Sequence, residues 1–75
     1  MNEIIEILCS YLAASRRVTR ISPNDRVNPT GIVVVLADGK EESHTLKVSD
    51  RDEFMKLWKQ ASSWLSIHWD DFDSN

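Results

Sequence analysis

The stretch GIVVVLADGKEESHTLKV, residues 31–48, constrains the fold more than any other part of the chain. Ile32 to Ala37 is an apolar run rich in β-branched residues, whose stiff side chains pack well on a pleated surface. Asp38-Gly39 follows, a pair suited to a two-residue type I′ turn because both positions need positive φ. Glu42 to Val48 then returns as an antiparallel strand. With that turn Ala37 faces Lys40, Val35 faces Glu42 and Val33 faces His44, and Leu46 and Val48 share a face with Val33 and Val35. A three-residue bulged loop would instead slip the pairing by one residue and swap every side chain to the other face.

The flanks read as helices. Ile4, Ile5, Ile7, Leu8, Tyr11 and Leu12 recur at three- and four-residue steps, which predicts a helix from about Asn2 to Ser15. Asn2 suits the N-cap, Glu3 and Glu6 the positive first turn, and Arg16 and Arg17 the C-terminal end. Val18, Thr19 and Ile21 suggest a short strand that Pro23 ends, followed by a turn-rich loop to Gly31. After the hairpin, Phe54, Leu57, Trp58, Ala61, Trp64 and Leu65 hold helical spacing. The N-cap of this last helix is Ser49 or Asp50, and Asp50 with Glu53 has the capping-box spacing. The expected fold is a single α+β domain over residues 1–75, an N-terminal helix, a three-stranded antiparallel β-meander and a C-terminal helix (α-β-β-β-α), with an acidic tail frayed from about residue 70.

Size limits what holds such a fold together. Seventy-five residues bury only about 60% of the surface that the unfolded chain exposes. Cys9 is the only cysteine, so no internal disulfide helps, and Cys9, His44 and His68 lack the spacing of a metal cluster. That leaves packing and association with a second chain as the sources of extra stability. A lone cysteine suits a reducing compartment, the N-terminus lacks signal-peptide features, and the run Ile32 to Ala37 is too short to cross a membrane; these point to a cytoplasmic protein.

The middle strand does not alternate. Both faces of residues 32–36 are apolar, so the sheet has one clearly apolar face and one mixed face, centred on Ile32, Val34 and Leu36. Two arrangements follow. Either the helices cover both faces or long side chains such as Lys47 shield the mixed one; or else both helices lie on one face and the strip Ile32, Val34 and Leu36 packs against another chain as a homodimer.

Two surfaces are candidate binding sites. In the C-terminal segment, Trp58 and Trp64 belong to the core, whereas Trp69 and Phe72 either cap it or stand outside as anchors rimmed by Asp70, Asp71 and Asp73. Exposed rings give a partner water-excluding contact, and carboxylates steer basic surfaces toward them. On the anchor reading, Trp69→Ala with Phe72→Ala abolishes binding and leaves the melting temperature unchanged. The second candidate is the cluster Arg16, Arg17, Arg20 and Arg26, which a nucleic acid or an acidic protein surface would recognise. The net charge of −3 and the lack of an aromatic within that stretch weigh against nucleic acid.

Catalysis has little support. Gly31 and Gly39 are explained by turns, Glu41 and Glu42 point to opposite faces of a strand, and Cys9 sits on an amphipathic helix as an ordinary thiol. No catalytic residue, metal or cofactor is expected. The leading expectation is a non-catalytic protein-binding module, a small inhibitor or accessory subunit of the phage or mobile-element type, docking through Trp69, Asp70, Asp71, Phe72 and Asp73. No residue pattern carries that likeness of type. The alternatives are a nucleic-acid-binding regulator using the arginines and a structural subunit of an oligomer.

Overall fold

The computed structural model describes residues 2–64 and 67–70. Helix α1 spans Glu3–Ala13 and α2 spans Arg51–Ser62. The strands are β1 (Val18–Pro23), β2 (Gly31–Leu36), β3 (Glu41–Thr45) and β4 (His68–Trp69). They form one sheet in the order β3-β2-β1-β4. The chain is thus a mixed α+β domain with the expected helix, antiparallel meander and helix. The two-residue β4, parallel to β1, is an addition that periodicity is too short to reveal.

Local chemistry explains both helices. The Asn2 side chain accepts from the Ile4 and Ile5 N–H groups at 2.8 and 3.3 Å, which satisfies two donors of the first turn. Its amide donates to the Leu57 carbonyl at 2.9 Å, so the cap of α1 also ties α1 to α2. At the other end Ser15 takes a left-handed conformation, φ 57°. The Ser15 N–H bonds Leu12 and the Arg16 N–H bonds Tyr11, the two reversed bonds of a Schellman ending. In α2 the Asp50 carboxylate accepts from the Glu53 N–H at 2.9 Å, and Glu53 reaches back to the Ser49 N–H at 2.6 Å. That is a capping box displaced by one residue.

Helix α2 stops earlier than its apolar spacing predicts. The Ser62 and Ser63 hydroxyls donate to the Lys59 and Gln60 carbonyls at 3.1 and 3.0 Å. Two acceptors of the last turn are satisfied there without further helix. Trp64 therefore lies beyond the helix and is 41% exposed, not in the core as its spacing predicts. Trp58, one turn and a half earlier, is buried as expected.

The hairpin takes the slipped register. Val34 pairs with Glu42 and Ile32 with His44, rather than Val35 with Glu42 and Val33 with His44. Gly39 has φ 91°, and the Gly39 N–H bonds the Leu36 carbonyl while the Leu36 N–H bonds Lys40. This is a three-residue loop whose left-handed glycine forms the bulge, so Asp38 does not need positive φ. Strand β3 also ends at Thr45, and the Lys47 N–H turns to the Glu3 carboxylate at 2.9 Å.

That slip decides which face is covered. Ile4, Leu8 and Tyr11 of α1, Phe54, Trp58 and Ala61 of α2, and Ile21, Ile32, Val34, Leu36 and Leu46 form one core. Both helices therefore lie on the Ile32–Val34–Leu36 face. The expected oligomer strip of Ile32, Val34 and Leu36 is corrected: those side chains are 0–5% exposed inside the protomer. The opposite face, which neither helix covers and over which none of the described elements packs, carries Val33 and Val35, both half-buried.

Candidate protein-docking surface

The register places the uncovered face in rows. One row runs Glu41, Val35, Arg20, His68 across the four strands. The next runs Ser43, Val33, Ser22, with Asp70 directly after β4. Two valines thus sit at the centre, between an acidic and hydroxylic side and a basic one.

The basic side is braced. The Arg20 guanidinium donates to Asp70 Oδ1 through Nε at 2.8 Å and lies 2.8 Å from it through Nη2, and His68 Nε2 lies 3.0 Å from the same oxygen. Partial burial pushes the Asp70 carboxyl up, but hydrogen bonds from Arg20 and Ser22, with the charges of Arg20 and His68, outweigh it and hold it below its ordinary value. The Asp70 N–H bonds the Ile21 carbonyl at 2.9 Å, fixing the backbone as well.

Trp69 points the other way. Paired with Ile21, it packs edge-on against Trp58, with ring centroids 5.2 Å apart. It closes the core at the β4 edge, so its ring is a lid and not a free anchor. Of the expected docking group, Trp69 and Asp70 are engaged within the protomer, while Asp71, Phe72 and Asp73 lie outside the described residues.

The four arginines do not share one surface. Arg16 and Arg17 precede β1 and border a hollow with Leu36, Ala37 and Asp38, whereas Arg26 lies in the loop beyond the opposite end of β1. Arg20 projects from the strand between them and is paired with Asp70. Arg16 is paired with Glu42. The charges of Arg16 and Arg20 are thus already met by carboxylates, which lowers their value to a phosphate backbone.

Sequence reasoning missed a polar cluster on the covered side. The Tyr11 hydroxyl is 2.7 Å from Glu42 Oε1 and 2.6 Å from His44 Nε2. Arg16 grips both oxygens of Glu42, at 3.2 and 2.5 Å, and its guanidinium carbon stands 5.2 Å from the Tyr11 ring centre. The single phenolic proton goes to the carboxylate, so His44 Nε2 must carry a proton and donate to the phenol. Burial first, then the hydrogen bond to Glu42 and its charge, push the Tyr11 phenol up to about 12. Hydrogen bonds from Arg16 and Tyr11 bring the Glu42 carboxyl down to about 2. A phenol and a carboxylate held this far from neutrality make a poor nucleophile and a poor general base at pH 7. The arrangement works as a clamp between the end of α1 and strand β3. Its signal in the sequence was Glu42 and His44 at a two-residue step, but it is readable only with the slipped register.

The remaining chemistry is dispersed. Cys9 is exposed on α1, His44 belongs to the clamp and His68 to the Asp70 corner. Among the described residues, no group of three histidine, cysteine or acidic side chains is placed to hold a metal ion, and no helix is long and apolar enough to cross a membrane. Comparison with known proteins found no matching family model, curated protein or solved structure.

Proposed function

We propose that this chain is a non-catalytic protein-binding module that docks on a larger protein through its uncovered sheet face, as an inhibitor or accessory subunit. The observation that carries the reading is the asymmetry of the sheet: both helices cover one face, leaving Val33 and Val35 at the centre of the other. Apolar contact at the centre of a patch with polar groups around it is the usual anatomy of a recognition surface. The Arg20–Asp70–His68 corner adds directional polar groups whose positions are already fixed, so little conformational freedom is lost on binding. Asp71, Phe72 and Asp73 follow that corner in sequence and supply the acidic and aromatic chemistry that favours a basic partner surface.

The test is capture of a partner from cytoplasmic extract by the immobilised chain, followed by the same capture with Val35→Lys. The expected result is a partner held by the wild type and lost by the variant, with circular dichroism of the two superimposable. Retention by Val35→Lys, together with loss on joint Arg16→Ala and Arg17→Ala substitution and steep salt dependence, would replace this reading with the nucleic-acid one.

A further inference from the structure

We propose that the free edge of the sheet, strand β3, is self-complementary and pairs two copies of this chain antiparallel about a two-fold axis at Ser43. The inference goes beyond the docking role above: it concerns a different surface and a different occupant, and stands or falls separately.

The hydrogen-bond ladder shows what the edge offers. The Leu36 N–H donates to the Lys40 carbonyl at one end of β3, and the Leu46 N–H donates to the Thr30 carbonyl past the other. With the intervening register, residues 42 and 44 turn their backbone groups toward β2. The N–H and C=O groups of Glu41, Ser43 and Thr45 therefore point away from the sheet, and all three residues are exposed. Natural edges are usually blunted by proline, a bulge or an inward charge; the inward carboxylate here, Glu42, is already met by Arg16 and Tyr11 inside the protomer. Strand β3 has no proline, and its pairing with β2 is unshifted over all five pairs. The Tyr11–Glu42–His44 clamp holds it to α1, so the edge is ordered before any partner arrives.

Charge selects one register among those open to it. In an antiparallel pair about a two-fold axis, centring on Glu42 sets two carboxylates side by side, and centring on His44 leaves the strands paired over a shorter length. Centring on Ser43 pairs all five residues. Glu42 then lies opposite the partner's His44, Glu41 opposite the partner's Thr45, and a small hydroxyl sits on the axis. Outward-facing backbone groups meet their counterparts at Glu41, Ser43 and Thr45, extending the four-stranded sheet into one of eight. A single strand pair is a small interface, so the dimer should be transient, with a Kd of roughly 10 µM to 1 mM.

Sedimentation equilibrium of the full chain from micromolar to millimolar concentration tests this, beside Ser43→Pro. The Ser43 N–H has no role in the protomer's ladder, so the variant keeps the fold while losing the central pair. The expected result is reversible dimerisation of the wild type and a monomer for Ser43→Pro at every concentration. A wild type monomeric throughout, or equal association by a folded Ser43→Pro, overturns the proposal. Should Ser43→Pro unfold, Ser43→Cys in a Cys9→Ser background decides, since a hydrogen-bonded pair on the axis has Cα atoms about 5.5 Å apart, within disulfide reach. Mild oxidation is expected to crosslink it; crosslinking of Val35→Cys in the same background, without Ser43→Cys, overturns the edge in favour of a face-to-face pair.

Discussion

Trp69 stands edge-on to Trp58, with the ring planes at 88°, and so joins the last strand to the middle of α2. Edge-to-face aromatic pairs contribute about 0.5–1.5 kcal/mol beyond the area they bury. Trp69→Ala should therefore destabilise the fold by about 2–3 kcal/mol, less than a fully buried tryptophan because the ring is half-exposed. A domain of this size holds only about 4–11 kcal/mol in total. Chemical denaturation followed by Trp fluorescence and circular dichroism checks it. An unchanged midpoint would restore the reading of Trp69 as a free anchor.

Tyr11→Phe removes the hydroxyl at the hub of the clamp and keeps the ring. The change leaves His44 without its phenolic acceptor and Glu42 with Arg16 alone. A loss of about 1–2 kcal/mol is expected, read as a fall in Tm of roughly 5–15 °C. If β3 is held by its ladder alone, Tm will barely move.

The clamp also sets a pH dependence at both ends of the scale. The Glu42 carboxyl is depressed in the folded state to about 2, so its contribution is whole above its unfolded value and is lost as pH falls toward 2. Tyr11 is raised to about 12, so its contribution is whole below the unfolded value near 10 and is lost as pH rises from there toward 12. Glu42→Gln should flatten the acid limb of Tm against pH and weaken the alkaline one. Tyr11 is the only tyrosine, so ultraviolet absorbance reports its ionisation directly; a phenolate appearing near pH 10 in the folded protein would contradict the cluster.

Ser15→Gly should stabilise. A side chain at φ 57° is strained against the following carbonyl, and glycine is the usual residue at this point of a Schellman ending. Part of the gain is offset by the greater freedom of glycine in the unfolded chain, leaving about 0.5–1 kcal/mol. A rise in the urea midpoint with no change in slope would bear this out.

What could be read directly from residues was local. Asn2 and the Asp50–Glu53 pair announce their helix starts because a cap is chemistry between neighbours. Asp38-Gly39 announces a hairpin, but Gly39 fits either a tight turn or the bulge of a three-residue loop, and the two choices put opposite sets of valines against the helices. An apolar run on both faces of β2 gives no way to break that tie. The error in register carried over into the expected oligomer strip and hid the clamp. Trp64 lies outside the core because apolar spacing continues past the point where the Ser62 and Ser63 hydroxyls close the helix. The scatter of the arginines follows from strand length: residues close in sequence fall at opposite ends of β1.

Strand β4 meets β1 through Arg20 and Asp70, which are fifty positions apart along the chain. Closing so long a loop is entropically uphill, and a two-residue ladder, one ring contact and an exposed ion pair are what reward it, so this seam should be the last to zip during folding and the first to exchange its amide hydrogens with solvent. The Asp70 amide would then lose protection well before those of β2, and the shelter over Trp58 would come and go with it.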